Sequence, residues 1–265
     1  MQYVVSFSGG VTSWAAAKRI VERHGAKNTT LIFADTKMED EDLYRFLDEA
    51  ALNIGAPLVK LSDGRTPWDV FFDVRYLGNS RVDPCSRVLK REPLNECATY
   101  GWDPQTTTHC IGYDCFESHR AERFRAAMAR RGWPHVCAPL ADYDPPMSKA
   151  GCFEWLAREG IELPRLYKMG FSHNNCGGFC VKAGQGHFAT LLRQLPERYA
   201  FHEQKEQELR AYLGKDVSIL RDRTGGESKP LTLRDFRLRL EAGGQCDMFD
   251  IGGCGCFAQP EEDAS

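Results

Sequence analysis

The chain has 265 residues, with 34 Lys and Arg, 37 Asp and Glu, and 11 Cys. This cysteine content is well below the roughly 8–10% that is typical of disulfide-stapled secreted miniproteins, and the net charge of −3 excludes a globally basic nucleic-acid-binding surface. No apolar run approaches the roughly 18 residues of a membrane span, and no signal peptide is recognisable. We therefore expect a cytoplasmic protein with no membrane partner, in which cysteines serve as thiols, metal ligands or catalytic groups.

Strands and helices alternate along residues 1–145. We predict strands over 3–7, 29–34, 57–61, 107–112 and 136–139, and helices over 12–24, 41–54, 86–98 and 118–131. This alternation is typical of an α/β domain with a parallel, doubly wound sheet that carries helices on both faces.

Residues 146–265 show a different pattern. Helices predicted over 148–158, 186–195, 196–213 and 232–241 follow one another without a comparable series of strands. Glycine-rich stretches interrupt them. We therefore divide the chain into an α/β domain over 1–145 and a mostly helical, cysteine-rich C-terminal region over 146–265 that packs on it.

The strongest local motif follows the first strand and opens the first helix. It reads Ser8-Gly9-Gly10-Val11-Thr12-Ser13. Two glycines permit a tight turn with exposed N–H groups, and the helix N-terminus adds a positive dipole, so the loop suits a phosphate group. It is neither a Walker A loop nor a dinucleotide fingerprint. A plain strand-to-helix turn is the alternative interpretation.

Four further segments follow this loop in chain order. They are Phe33 to Thr36 with Glu39, Asp83 to Leu94, Ile111 to Tyr113 with Glu117 and Arg120, and Leu166 to Phe171 followed by Cys176 and Cys180. Together with the loop, they make the chain resemble the PP-loop adenine nucleotide alpha-hydrolase superfamily. Within it, the chain is most similar to the phosphoadenosine phosphosulfate (PAPS) reductase-like family, including its phage and bacterial relatives.

The resemblance implies a sheet of the HUP/PP-loop type that binds ATP or a related adenine nucleotide together with Mg²⁺. The nucleotide-binding residues that it implies are Ser6, Ser8, Gly9, Gly10, Val11, Thr12, Ser13, Ala34, Asp35, Thr36, Gly112 and Tyr113. Thr12 stands where ATP-cleaving members carry Asp, so Asp35 or Glu39 is expected to help hold the ion, and Asp35 is a catalytic candidate. The expected substrate-binding residues are Arg87, Lys90, Glu117 and Arg120, since open parallel sheets bind ligands at the carboxyl ends of their strands.

The cysteines form two groups of interest. Cys85, Cys176 and Cys180 lie in segments that resemble the family, and Cys246, Cys254 and Cys256 follow near the end of the chain. We expect Cys85, Cys176, Cys180 and Cys254 to hold a [4Fe-4S] cluster. Four thiolates also fit a tetrahedral zinc ion, and reduced thiols without a metal are a third interpretation. His173, just before the cysteine pair, is more simply a hydrogen-bonded histidine than an acid/base or metal-binding group.

Three functions fit these features. The first is an enzyme that adenylates a substrate with ATP and then transfers sulfur to it, with the help of an iron-sulfur cluster. The second is a sulfonucleotide (PAPS or APS) reductase in which the thiolate of Cys256 or Cys254 is the nucleophile. The third is a non-catalytic, metal-stabilised module that binds a nucleotide or nucleic acid. The sequence does not name the second substrate, for which a nucleobase in tRNA or DNA is one candidate, and it gives no sign of the oligomeric state.

Overall fold

The computed structural model describes residues 1–79, 81–223, 227–246, 250 and 252. Its helices are α1 (Val11–His24), α2 (Glu41–Ile54), α3 (Pro67–Asp73), α4 (Pro84–Ser86), α5 (Glu92–Gly101), α6 (Ser118–Arg130), α7 (Pro139–Asp142), α8 (Lys149–Arg158), α9 (Arg165–Lys168), α10 (Gln185–Gln194), α11 (Pro196–Leu213) and α12 (Leu233–Glu241). Its strands are β1 (Gln2–Ser6), β2 (Thr29–Asp35), β3 (Leu58–Ser62), β4 (Thr107–Ile111), β5 (Val136–Cys137), β6 (Leu220–Asp222) and β7 (Lys229–Leu231). Among these described helices, none is long and apolar enough to cross a membrane.

Five strands form one parallel sheet in the order β3-β2-β1-β4-β5. Strand β1 pairs with β2 on one side and with β4 on the other. The chain runs outward from β1 to β3 and then returns to β4, so the connections after β1 and β4 leave the sheet in opposite directions. The predicted α/β class and parallel, doubly wound sheet are confirmed. Sheets of this kind bind ligands in the crevice at such a reversal, which here lies between the carboxyl ends of β1 and β4.

Helix α2 shows how the sequence builds the layer next to the sheet. Asp40 begins the helix, because its side chain accepts a hydrogen bond from Asp42 N at 3.0 Å. The apolar residues of α2 recur at helical spacing and are buried as predicted: Leu43, Phe46, Leu47, Ala50 and Ile54. They pack with Trp14 of α1 and Leu31 of β2 in one core cluster.

The helix predicted over 86–98 is interrupted. Helix α4 passes into a π-helical turn, Arg87–Arg91, before α5 begins at Glu92. Pro93 has no N–H and fits only the first turn of a helix, which explains why a new α-helix starts there. The wide turn buries Lys90 and leaves Arg87 exposed. The prediction of one regular helix is therefore wrong in its first part, from Arg87 to Arg91.

The structure adds elements that the sequence patterns do not predict. Helix α3 begins with a capping box formed by Thr66 and Asp69, a signal that is visible in the sequence. Strands β6 and β7 form an antiparallel hairpin of three residues each, too short for an alternating pattern to be recognised. In the second core cluster, Trp68 of α3 packs with Phe188 and Phe236 of the C-terminal helices. The C-terminal region thus packs on the α/β domain.

A buried carboxylate on α11 joins the hairpin and α12 to that helix. Glu206 is fully buried, and its two carboxylate oxygens accept from Ile219 N at 2.9 Å and from Leu233 N at 2.6 Å. Burial raises the pKa of Glu206 to about 7, although these two hydrogen bonds act in the opposite direction. The folded protein therefore holds this proton more tightly than the unfolded chain does.

This carboxylate gives a pH-dependent contribution to stability. Because the folded pKa lies above the unfolded one, the contribution is complete below the unfolded pKa and is lost as the pH rises to about 7. We expect the free energy of unfolding of the wild type, relative to Glu206→Gln, to fall by about 3 kcal/mol across that window. Urea unfolding at a series of pH values measures this difference. The buried histidines contribute equally to the pH dependence of both proteins, so their contribution cancels in the difference. The same pH dependence in both proteins would contradict the assignment.

Candidate functional site

A cavity of about 260 Å³ lies between the carboxyl ends of β1 and β4, in the crevice that the strand order creates. We call it the loop cavity. It is lined by Ser6, Ser8, Gly10, Thr12, Ser13, Ile111, Gly112, Tyr113, Asp114, Glu117, Arg120, Lys149, Tyr167, Ser172, His173, Asn174 and Asn175. Most of the predicted nucleotide-binding residues thus meet at one place, together with two of the predicted substrate-binding residues, Glu117 and Arg120.

The loop between β1 and α1 forms one wall of this cavity. Gly9 has a φ of 75°, and a Cβ atom there would lie 3.0 Å from Leu43 Cγ, so the turn requires glycine. Ser13 Oγ donates to Gly10 O at 2.8 Å and fixes the first turn of α1. Gly10 offers no side chain to cap that turn, and Val11 N donates to Tyr167 Oη at 3.4 Å. The N-terminus of α1 therefore presents its positive dipole to the cavity.

The opposite wall begins at the end of β4. A Cβ atom on Gly112 would lie 2.8 Å from Ser13 N, Ser13 Cα and Thr12 O. The end of β4 and the first turn of α1 therefore touch through their backbones, and only glycine permits this contact. The glycine of the predicted Ile111-Gly112-Tyr113 segment is explained by this packing.

Charged groups of both signs face the loop cavity. Arg120 forms an ion pair with Glu117, and its guanidinium lies 4.5 Å from the centre of the Tyr113 ring. Lys149 Nζ lies 5.2 Å from the centre of the Tyr167 ring. Two cations and the carboxylates of Glu117 and Asp114 thus line the same space, which can bind a phosphorylated ligand and a metal ion that accompanies it.

The sequence analysis did not identify several of these residues. Asp114 and Lys149 come from distant parts of the chain and meet where Lys149 N donates to Asp114 Oδ2 at 3.0 Å. Asn174 is buried, and its Nδ2 donates to Gly9 O at 2.9 Å. Its Oδ1 has no hydrogen-bond partner among the described residues. The only sequence signal for them was their proximity to motifs of the resembled family.

His173 contributes a neutral ring to the cavity. The residue is partly exposed, but its Nδ1 is inaccessible to solvent and has no hydrogen-bond partner in the described part of the chain. The ring stacks on His187 with 5.2 Å between ring centres. Burial, with a smaller effect of His187, lowers the pKa of His173 to about 3. The imidazole is therefore uncharged near neutral pH and offers one donor and one acceptor.

Asn174 gives a testable link between the loop and the segment that covers it. We expect Asn174→Ala to lower the free energy of unfolding by about 1–3 kcal/mol, because Gly9 O loses its buried donor. Nucleotide affinity should fall as well, since the loop is then less well positioned. Urea unfolding and calorimetric titration with an adenine nucleotide measure the two effects. Asn28→Ala, which removes an exposed hydrogen bond to His24 O, is the control and should leave the affinity unchanged.

Three predicted nucleotide-binding residues lie at the end of β2, outside the lining of the loop cavity. Asp35 accepts from Lys37 N at 2.8 Å, Lys37 Nζ at 3.0 Å and Tyr44 Oη at 2.8 Å. Burial opposes ionisation, but these bonds hold the pKa of Asp35 below its ordinary value. Its oxygens are thus already engaged. Ala34 is buried, and Thr36 Oγ1 donates to Glu39 Oε1 at 2.9 Å.

A second cavity lies beyond the end of β2, and we call it the cysteine cavity. It is lined by Thr36, Pro67, Asp83, Cys85, Ser86, Lys90, Cys176, Phe179, Cys180, Val181 and Lys182. Three of the four predicted metal ligands therefore meet here. The fourth, Cys254, lies outside the described residues, as does Cys256. Within the described part of the chain, no disulfide joins any two cysteines, and no three His, Cys, Asp or Glu side chains are arranged to hold a metal ion.

Positive charge surrounds the thiols. Lys90 is buried, and its Nζ lies 3.5 Å from Cys176 Sγ and 3.7 Å from Glu39 Oε1. Lys182 Nζ lies 3.7 Å from Asp83 Oδ2. The structure thus places Lys90, a predicted substrate-binding residue, in the cysteine cavity. Arg87 lines neither cavity, and its exposed guanidinium lies 3.7 Å from Glu92 Oε1.

One segment borders both cavities. Its first half, Ser172 to Asn175, lines the loop cavity, and its second half, from Cys176 to Lys182, contributes five residues to the cysteine cavity. Asn174 holds the first half to Gly9, and Cys176 N donates to the Glu39 carboxylate. One continuous segment therefore connects the two cavities, with Asn175 in the lining of the first and Cys176 in the lining of the second.

A known domain family matches most of this chain. The family model described as "Phosphoadenosine phosphosulfate reductase domain" matches residues 2–179. No curated protein matches the chain by sequence. Among solved structures, one similar chain is phosphoadenylyl-sulfate (PAPS) reductase from Candida auris in a phosphate complex, with 14% identity and a TM-score of 0.44 over 64% of this chain and 78% of that one. The matched residues include the loop after β1, the end of β4, and Cys85 and Cys176 of the cysteine cavity. The chain therefore belongs to the phosphoadenosine phosphosulfate reductase domain family.

Proposed function

We propose that this chain binds ATP in the loop cavity, adenylates a second substrate and supports sulfur transfer to it from the cysteine cavity. The observation that carries the proposal is the continuous segment from Ser172 to Lys182, which runs from the lining of the loop cavity into the lining of the cysteine cavity. A nucleotide held by one cavity would then be within reach of sulfur chemistry in the other.

The residues of the loop cavity fit ATP together with Mg²⁺. Mg²⁺ usually keeps several waters and takes one or two carboxylates plus the phosphates of its substrate. Asp114 and Glu117 can supply those carboxylates, although Thr12 replaces the Asp of ATP-cleaving relatives. In this proposal they hold the ion, a role for which the sequence pointed to Asp35 or Glu39.

The first step is attack of a substrate carbonyl oxygen on the α-phosphorus. The bond to pyrophosphate breaks, and the substrate becomes an adenylate. The N-terminus of α1 and the cations Arg120 and Lys149 can stabilise the charge that builds up on the phosphate oxygens. A sulfur nucleophile then attacks the activated carbon and displaces AMP. Positioning and charge neutralisation supply most of the rate enhancement.

A planar heteroaromatic carbonyl, such as a nucleobase in tRNA or DNA, is the acceptor that we propose. A groove of about 540 Å³ opens beside the loop cavity and shares Lys149, Tyr167 and Ser172 with it. Its lining is mostly apolar and includes the ring of Phe153, which meets Tyr167 edge to face at 5.2 Å. Aromatic walls of this kind suit a flat ring.

A [4Fe-4S] cluster, or a zinc ion as the alternative, is the metal centre that we propose for the cysteine cavity, although its three described cysteines do not by themselves form a metal site. Cys85, Cys176 and Cys180 already face one space, and Lys90 and Lys182 can balance the negative charge of thiolate ligands. Cys254 is the proposed fourth ligand. With Cys254 bound, every iron of a cluster would carry a cysteine, so an iron would be open to sulfide only when Cys254 is not bound. Anaerobic purification with an absorption spectrum and iron and zinc analysis tests this choice: a broad band near 400 nm indicates a cluster, and stoichiometric zinc would contradict it.

The second candidate is sulfonucleotide reduction, which the family favours. Thr12 also favours it, because Thr12 replaces the Asp of ATP-cleaving relatives and this reaction releases no pyrophosphate. A thiolate of Cys254 or Cys256 would attack the sulfonate sulfur, the sulfur–oxygen bond would break, and the nucleoside phosphate would leave. A second thiol would then release sulfite and form a disulfide, so the two electrons come from the thiols. Both cysteines lie outside the described residues.

Product analysis separates the candidates. The purified protein is incubated anaerobically, in one arm with ATP, Mg²⁺ and a nucleic-acid acceptor, and in the other with a sulfonucleotide and a dithiol. Release of pyrophosphate and AMP only in the first arm supports adenylation. Release of sulfite only in the second arm would overturn it in favour of reduction. Nucleotide binding without products in either arm would leave the non-catalytic module.

A further inference from the structure

A third cavity, of about 50 Å³, lies between the sheet and helices α5 and α6. We call it the arginine cavity. Its polar lining residues are Ser6, Arg91, Asn95, His109 and Arg131, and the remainder of its lining is apolar. Arg91 belongs to the Asp83 to Leu94 segment of the resemblance but has no role in the proposed reaction, and neither do Asn95, His109 and Arg131. Ser6 lines this cavity and the loop cavity alike, so the two are adjacent.

Arg91 brings unsatisfied donors to this place. Its Nη2 lies 3.7 Å from Asp83 Oδ1, on the side of the cysteine cavity. Its Nε and Nη1 are buried and have no hydrogen-bond partner among the described residues. A buried donor without an acceptor costs about 1–3 kcal/mol, and more when the group is charged. Buried donors of this kind are usually satisfied, so we expect an acceptor beside Arg91, either a water molecule or an anion.

His109 faces the same cavity. The residue is only 6% exposed, and its Nε2 has no hydrogen-bond partner in the described part of the chain. The imidazole packs edge to face against Trp133, with 4.4 Å between ring centres, which fixes its orientation. Burial lowers the pKa of His109 to about 4, so the ring is neutral near pH 7 and can carry its proton on Nε2. It can therefore donate a further hydrogen bond into the cavity.

Charge and size indicate what fills the space. Arg91 and Arg131 line the cavity, and none of its described lining residues carries a carboxylate. Arg131 Nη1 donates to Asn95 Oδ1 at 2.9 Å. Arg91 shares the single carboxylate of Asp83 with Lys182, so one carboxylate serves two cations. A volume of 50 Å³ holds roughly three to five waters, which is close to the size of a five-atom tetrahedral ion. We propose that the arginine cavity binds a small oxoanion of the sulfate or phosphate class between Arg91 and His109.

Equilibrium dialysis of the full-length protein against radiolabelled sulfate, without nucleotide, tests this proposal, with phosphate measured in parallel. We expect Arg91→Gln to weaken binding about tenfold or more, as the loss of a hydrogen bond to a charged group does. Ala127→Leu, which fills the cavity and keeps both arginines, should weaken it likewise and serves if Arg91→Gln folds poorly. Arg123→Gln, an exposed residue of α6 outside the cavity lining, is the matched control and should bind as the wild type does.

Sulfate can also enter the loop cavity, so a further variant separates the two sites. Ser13→Ala removes a loop hydroxyl and should leave the component that depends on Arg91 intact. If sulfate binding disappears in Ser13→Ala and is unchanged in both Arg91→Gln and Ala127→Leu, the arginine cavity holds only water and the proposal is overturned. Absence of sulfate and phosphate binding at millimolar concentration would overturn it too. Because no nucleotide is present, these outcomes are independent of the proposed reaction.

Discussion

Gly112→Ala is expected to abolish nucleotide binding and to lower the free energy of unfolding by about 1–3 kcal/mol. The added Cβ would lie 2.8 Å from the backbone of Ser13 and Thr12. Backbone atoms cannot rotate away as a side chain can, so the first turn of α1 must shift away from β4. A displacement of about 1 Å in a site that positions a substrate can lower the reaction rate roughly 100-fold. Calorimetric titration with an adenine nucleotide and urea unfolding measure the two effects.

Gly101→Ala is the matched control for this variant. It makes the same substitution at the end of α5, where a new Cβ would have no neighbour within 4 Å among the described residues. We expect it to bind nucleotide as the wild type does and to be no less stable, since alanine favours a helix more than glycine does. If Gly112→Ala and Gly101→Ala bind with the same affinity, the loop cavity is not the nucleotide site.

Cys176→Ser is expected to abolish sulfur transfer while leaving nucleotide affinity unchanged. The substitution keeps the shape of the segment shared by both cavities but replaces a sulfur that lies 3.5 Å from Lys90 Nζ. Loss of a residue that only supports a metal ligand lowers metal affinity or activity roughly 10- to 100-fold. Loss of the proposed ligand itself should lower activity further. Turnover and nucleotide affinity, measured on the same anaerobic preparation, separate the two roles.

Cys97→Ser provides the control for the loss of a thiol as such. Cys97 lies on α5 and lines neither the loop cavity nor the cysteine cavity. It should retain full turnover. Equal activity of Cys176→Ser and the wild type would show that the cysteine cavity takes no part in the reaction, whereas equal loss in both variants would point to general oxidation or misfolding.

Local sequence signals predicted the parts of the site that depend on short-range geometry. The two glycines after β1 were expected to permit a tight turn, and Gly9 has a φ of 75° with Leu43 close to its missing Cβ atom. The reason for glycine at Gly112, its contact with the backbone of Thr12 and Ser13, became visible only in the structure. The apolar spacing of α2 and the alternation of strands with helices predicted the sheet, because burial of one helix face and of a parallel strand leaves a regular pattern.

Interactions between distant segments were not predictable from these signals. Asp114 and Lys149 become neighbours only when α8 packs beside the end of β4. Asp35 lies outside the lining of the loop cavity, and the donors to its oxygens, Lys37 and Tyr44, were not predicted. The π-helical turn before Pro93 gives Lys90 to the cysteine cavity and leaves Arg87 in solvent. The spacing of apolar residues indicates where a helix runs, but it does not reveal a local π-helical turn within it.

Hydrogen–deuterium exchange with and without a saturating adenine nucleotide tests whether the loop cavity is the nucleotide site. We expect the nucleotide to slow amide exchange in residues 8–14, 112–117 and 172–175, which surround this cavity. Exchange in β6 and β7, far along the chain from these segments, should not change. Protection confined to other segments, or no protection at a concentration that saturates binding, would contradict the account.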